Sequence, residues 1–211
     1  AAGNLISVNN GNDPIVPVFY PPVDKLPPAL GNDGRIAWGV GKDKFGQFFH
    51  YVTGLPGLES EVPMLQKTPV AHFDLIGASR PIAPSGATQP LEGQVTSGAL
   101  IARFLEGKVD VKLSMEIGGA SFTARGNDLN LTTADGTLIF GAGPVSCTIA
   151  GCSGISTPVV TCEGVSCSGD IQGFVGAGGA RAGAAYALNV SGIGATGPVK
   201  GTAAFAASTS K

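Results

Sequence analysis

The stretch VDVKLSMEI, residues 109–117, with Gly118-Gly119 and ASFTARG behind it, constrains the fold more than any other part of the chain. Val109, Val111, Leu113, Met115 and Ile117 alternate with Asp110, Lys112, Ser114 and Glu116. A period of two places one set on each face of a strand, so one face is buried and the other wet. Two glycines before a second such run predict a two-residue hairpin turn. The segment therefore reads as an antiparallel hairpin over a core.

Other segments repeat the signal. RIAWGVG (35–41) and GQFFHYVTG (46–54) open the domain, and Ala71–Ile76 is a strand beyond a break at Pro69. SGALIARFLEG (97–107) reads as a strand with both faces partly covered. DLNLTT and TLIFGA are joined by Ala134-Asp135-Gly136, and DIQGFVGAG (170–178), ARAGAAYALNVSG (180–192) and VKGTAAFAAS (199–208) complete the set. Eight to ten short strands with glycine turns argue for an antiparallel barrel or sandwich. The chain holds 33 glycines in 211 residues, and its charged share is 13%, about half the usual ~25%. Small residues on so many strands allow close sheet packing or a narrow barrel.

Residues 1–34 differ. Pro14, Pro17, Pro21, Pro22, Pro27 and Pro28 fix φ and remove donors, which excludes a helix or a central strand. The segment reads as an extended arm. It nevertheless carries Leu5, Ile6, Val8, Ile15, Val16, Val18, Phe19 and Tyr20. An extended arm with apolar side chains is ordered by docking, on its own domain or on a neighbouring subunit. The chain thus divides into an arm, 1–34, and a β domain, 35–211.

The four cysteines fall in two similar stretches, VSCTIAGCSG (145–154) and VTCEGVSCSG (160–169). Their spacing is Cys-x4-Cys, whereas zinc knuckles and thioredoxin-like motifs use Cys-x2-Cys. Cys147, Cys152, Cys162 and Cys167 therefore read as structural disulfides. The local pairing joins 147 to 152 and 162 to 167; the nested one joins 147 to 167 and 152 to 162. Cysteines five apart point to opposite faces of a regular strand, so the nested pairing needs a bulge and the local one is preferred. Either pairing implies an oxidising compartment: periplasm, cell surface or outside. The chain begins at Ala1 without an apolar leader, which reads as a mature exported product.

The net charge of −2 and the absence of any Lys/Arg block argue against a nucleic-acid partner. No apolar run reaches the ~18 residues of a membrane helix. GND recurs at 11–13, 31–33 and 126–128 and reads as turn chemistry. No Gly-x-Ser-x-Gly elbow, phosphate loop or dinucleotide fingerprint is present, so a non-enzymatic role without a cofactor is expected. His50, between Phe49 and Tyr51, reads as a packed sheet residue. His72 with Tyr51 or Met64 is the one combination suited to haem iron.

IQGFVGAGGARAGAAYALN followed by GPVKGTAAFAAS is similar to the last hairpin and closing strand of transferrin-binding-protein-B-like β-barrels. Gly173, Phe174, Gly176, Ala180, Gly183, Tyr186, Gly201 and Phe205 carry the resemblance. RIAWG, HYVTGLP, HFDLIGASRPIAPSG and the hairpin at 109–126 are similar to barrel modules of proteobacterial surface and envelope proteins, so it spans about residues 35–208. It implies an eight-stranded antiparallel barrel, filled by side chains, on an exported bacterial protein. Relatives of that kind capture iron or haem through protein contacts or have unassigned surface roles. The arm has no counterpart there, and it points towards a structural subunit acting through protein contacts or self-assembly.

Overall fold

The computed structural model describes residues 4–5, 30–42, 48–55, 57–134, 137–141 and 160–208. Strands β1 (Asn4–Leu5), β2 (Gly31–Asn32), β3 (Ile36–Lys42) and β4 (Phe48–Gly54) form a small antiparallel sheet in the order β1-β4-β3-β2. A single helical turn, α1 (Val62–Leu65), leads to the main sheet. Its strands are β5 (Val70–Ala78), β6 (Ile82–Ala83), β7 (Leu91–Arg103), β8 (Lys108–Ile117), β9 (Ala120–Ala134), β10 (Thr137–Gly141), β11 (Val160–Glu163), β12 (Cys167–Val175), β13 (Arg181–Val190) and β14 (Val199–Ala207). The ladders run β5-β7-β8-β9-β10-β12-β13-β14 and return from β14 to β5, every one antiparallel. This is a closed eight-stranded barrel, which leaves no free edge around the ring.

The hairpin at 109–126 forms as expected. Gly118 and Gly119 take φ of 60° and 79°, the pair of positive values that a two-residue turn needs to match strand twist. Val109, Val111, Leu113, Met115 and Ile117 are all buried inside the ring. Phe73, Phe122, Phe140, Tyr186 and Phe205 fill it with them. At one end Leu65 and Phe104 close the interior, and at the other Ile193 rests on Gly118. The barrel is a packed core.

Strands β3 and β4, read as the opening of the β domain, pair with each other and with β1 and β2. All eight staves come from Val70 onward. The closed ring explains the split: with no edge to join, further strands can only lie on its outer surface. The small sheet does so across β12, β13, β14 and β5, where Ile36, Trp38 and Val52 pack on Phe174 and Ala204. β13 is buried at eight of its ten positions because it is covered from both sides.

The stave between β9 and β12 is made of two pieces. β10 pairs Gly141 with Asn130 of β9, and β11 resumes on the same strand with Val160 opposite Gly126. Residues 142–159, which include Cys147 and Cys152, lie outside the described residues.

Among the described residues, one side chain inside the ring carries an unsatisfied group. Tyr186 is 2% exposed and its hydroxyl has no hydrogen-bond partner. Burial holds its pKa well above the ordinary tyrosine value. The ring lies across Gly201, where a Cβ would stand 2.3 Å from the hydroxyl oxygen. A buried hydroxyl without a bond costs about 1–3 kcal/mol. Tyr186→Phe should therefore raise stability by about 1 kcal/mol in urea unfolding. A loss of more than that would show that the hydroxyl has a partner in solution.

Candidate functional site

The small sheet and the barrel face beneath it form the most elaborate surface in the described chain. Trp38 of β3 lies flat between two backbones. A Cβ on Gly77 of β5 would stand 2.0 Å from its Cζ2, and one on Gly31 of β2 would stand 2.1 Å away. Gly183 on the barrel makes similar room for Phe174 and Val52. The glycines that suggested close packing are spent here, on bringing two sheets together.

At the rim, Asp33 of the 31–33 GND motif makes an Asx turn. Its Oδ1 accepts the N–H groups of Arg35 and Ile36, each at 3.0 Å. Its other oxygen accepts Arg181 Nε of β13, which ties the turn to the barrel. Burial opposes ionisation of Asp33, but these hydrogen bonds and the guanidinium charge hold its pKa below the ordinary value. The 126–128 GND motif also does turn chemistry. It forms a bulge opposite Asp110, with Asp128 at φ 54° and its N–H on Asp110 Oδ1 at 2.8 Å. Arg103 binds Glu106, Asp110 and Asp128 together, so this acidic group already holds a cation. The 11–13 motif lies outside the described residues.

Under the sheet, His50, Ser79 and Thr202 form a buried polar chain. His50 Nδ1 is 2.8 Å from Ser79 Oγ, and Thr202 N–H donates to the same oxygen at 2.9 Å. The single Thr202 hydroxyl proton faces two acceptors, the Tyr51 carbonyl and Ser79 Oγ, each at 3.2 Å. The neutral ring avoids an orphaned N–H when Nδ1–H donates to Ser79 Oγ. This leaves only the Nε2 lone pair without a partner, a smaller penalty than an orphaned N–H. Burial, and then the charge of Lys200, push the His50 pKa down to about 4. The serine and histidine resemble part of a hydrolytic pair, but Ser79 is 1% exposed and no carboxylate orients the ring. The chain holds the sheet on the barrel. His50 is the packed sheet residue expected; Ser79 and Thr202 carried no sequence signal, because only the β14–β5 pairing brings them beside it.

The cysteine expectation is met where it can be seen. Cys162 and Cys167 form a disulfide with Cα atoms 5.6 Å apart, the local pairing. It joins β11 to β12, two strands between which no ladder forms among the described residues. Closing so short a loop contributes about 2 kcal/mol. Replacing both Cys162 and Cys167 with Ser should lower stability by about that amount. Amide exchange should accelerate first at Val160–Glu163; uniform acceleration would show that the disulfide does not hold this half-stave.

Of the arm residues, Leu5 lies in β1, which pairs Asn4 with Gly54 and Leu5 with Thr53 of β4. Ile6, Val8, Ile15, Val16, Val18, Phe19 and Tyr20 lie outside the described residues. The three side chains considered for haem stand on three elements: Tyr51 buried in β4, Met64 exposed on α1 and His72 exposed on β5. Two open hollows are found at one end of the barrel, around Cys167 and Asn189 and around Glu92 and Glu116; none of the three residues lines either. Among the described residues no group of His, Cys, Asp or Glu is placed to hold a metal ion, and no helix is long and apolar enough to cross a membrane.

No family model matches this chain, and no curated protein matches it significantly.

Proposed function

We propose that this chain is a non-enzymatic, exported β-barrel subunit that works through protein–protein contacts, with its N-terminal arm as the docking element. The observation that carries the reading is β1: within the single chain the tip of the arm adds to the β4 edge as a strand, so that edge accepts an added strand through main-chain pairing. That is a general mode of peptide capture. Two further features support it. Leu55, Leu58, Met64, Val70 and Leu105 are all exposed, on segments at the end of the barrel opposite the two hollows. Exposed apolar surface of that kind marks contact sites. The Cys162–Cys167 disulfide fits an oxidising compartment, and the filled interior leaves the outer surface as the place for contacts. The closed barrel agrees with the resemblance to transferrin-binding-protein-B-like modules in fold. No observation favours the alternative, an iron- or haem-capture module using His72, Tyr51 and Met64.

The test is light scattering after size exclusion, on the intact chain and on one beginning at Gly31. The intact chain should assemble with rising concentration while the shortened one remains a folded monomer. Two identical monomers would overturn the reading.

A further inference from the structure

We infer that the occupant of the β4 edge in the assembled state is β1 of a second copy of this chain, exchanged between copies at Thr53–Gly54. This rests on the reading of the arm as a docking element and adds the partner and the place. Three observations lead to it. First, β1 holds its site through two residue pairs only, Asn4 with Gly54 and Leu5 with Thr53. So small a ladder is readily exchanged for an identical one, since a second copy offers the same pairing.

Second, β1 and β2 stand on opposite edges of the same sheet, with β4 and β3 between them. Three strand spacings amount to about 14 Å. Residues 6–29 join them. Extended at ~3.1 Å per residue, that stretch spans roughly 70 Å, several times the gap. Third, the stretch contains six prolines, at 14, 17, 21, 22, 27 and 28. Proline-rich chain is stiff and favours extension. To deliver β1 to its own β4 the chain must double back on itself. To deliver it to a neighbour it need only run outward. Stiffness that disfavours doubling back lowers the effective concentration of β1 at its own edge, which for a short flexible linker is on the order of 1 mM. It does not lower the concentration offered by neighbours. The prolines also remove donors along the arm, which confines strand addition to its tip.

Cross-strand partners have Cα atoms about 4.5–5.5 Å apart, within the range that a disulfide bridges. Full-length Leu5→Cys protein mixed with full-length Thr53→Cys protein should yield a covalent heterodimer under mild oxidation, absent from mixtures of either variant with wild type. Trp38 emission confirms that each variant keeps its sheet. A Leu5→Cys/Thr53→Cys chain that cross-links only within itself, while mixed single variants give no heterodimer, would overturn the inference. Assembly seen by scattering without a 5–53 cross-link would also overturn it, yet leave the assembly reading standing on another surface. A second variant guards against failed oxidation. Consecutive residues of a strand point their N–H groups to opposite sides, so one of the two faces β4, and Asn4→Pro/Leu5→Pro removes it whichever it is. Association should weaken at least tenfold; unchanged association would mean that β1 is not the contact.

Discussion

Gly77→Val should detach the small sheet from the barrel and cost about 3 kcal/mol or more. The Trp38 ring rests on the Gly77 backbone, and the first carbon of any side chain there would stand 2.0 Å from Cζ2. The ring cannot retreat, since Gly31 approaches it as closely. Overpacking of a tight contact costs typically 1–3 kcal/mol when neighbours can shift. Here the shift available is removal of the indole, with loss of the Ile36, Val52, Phe174 and Ala204 contacts made beside it. Trp38→Ala should cost a similar ~3–5 kcal/mol by leaving a cavity. The chain has one tryptophan, so its emission reports the interface alone. In Gly77→Val the emission should move to longer wavelength while far-ultraviolet circular dichroism keeps the barrel signature. Unchanged emission and an unchanged urea midpoint would show that the ring is not held as described.

Acid should weaken the same interface through His50. Its pKa falls from the ordinary 6.5 to about 4 in the fold, because burial and then Lys200 disfavour its charge. Between those values the unfolded chain binds a proton that the folded chain refuses. Stability from this group is therefore complete above about pH 6.5 and is lost as pH falls towards 4, by about 3 kcal/mol in total. The structural cause is visible: a second ring proton would sit on Nε2, which has no acceptor. His50→Asn keeps a donor to Ser79 Oγ but does not titrate. The difference in unfolding free energy between wild type and His50→Asn should shrink or reverse across this window. Asp33, whose pKa is lowered, contributes its own loss below the ordinary carboxylate range, under the His50 window. Parallel pH profiles for the two proteins would rule out the buried histidine as the sensor.

The residues that the sequence makes legible are those whose signal is local. Alternation at 109–117 named five inward side chains because a strand over a core must alternate. Gly118-Gly119 named its turn because only a residue without a Cβ takes positive φ freely. The cysteine spacing favours the local Cys162–Cys167 pairing but leaves the nested one open, and the structure decides between them. The sheet interface was not legible in the same way. Gly77 and Trp38 are thirty-nine residues apart in the chain, and His50 and Thr202 are more than a hundred and fifty apart; nothing in either neighbourhood announces the other.

The sequence by itself determined that the chain is β and where its cleanest hairpin turns, because these depend on the geometry of a few neighbouring residues. The tertiary structure decided which strands close the ring and which lie outside it. Closure is a property of all eight staves together: once β14 meets β5, no edge remains, and β3 and β4 can bury their apolar face only by lying across the barrel.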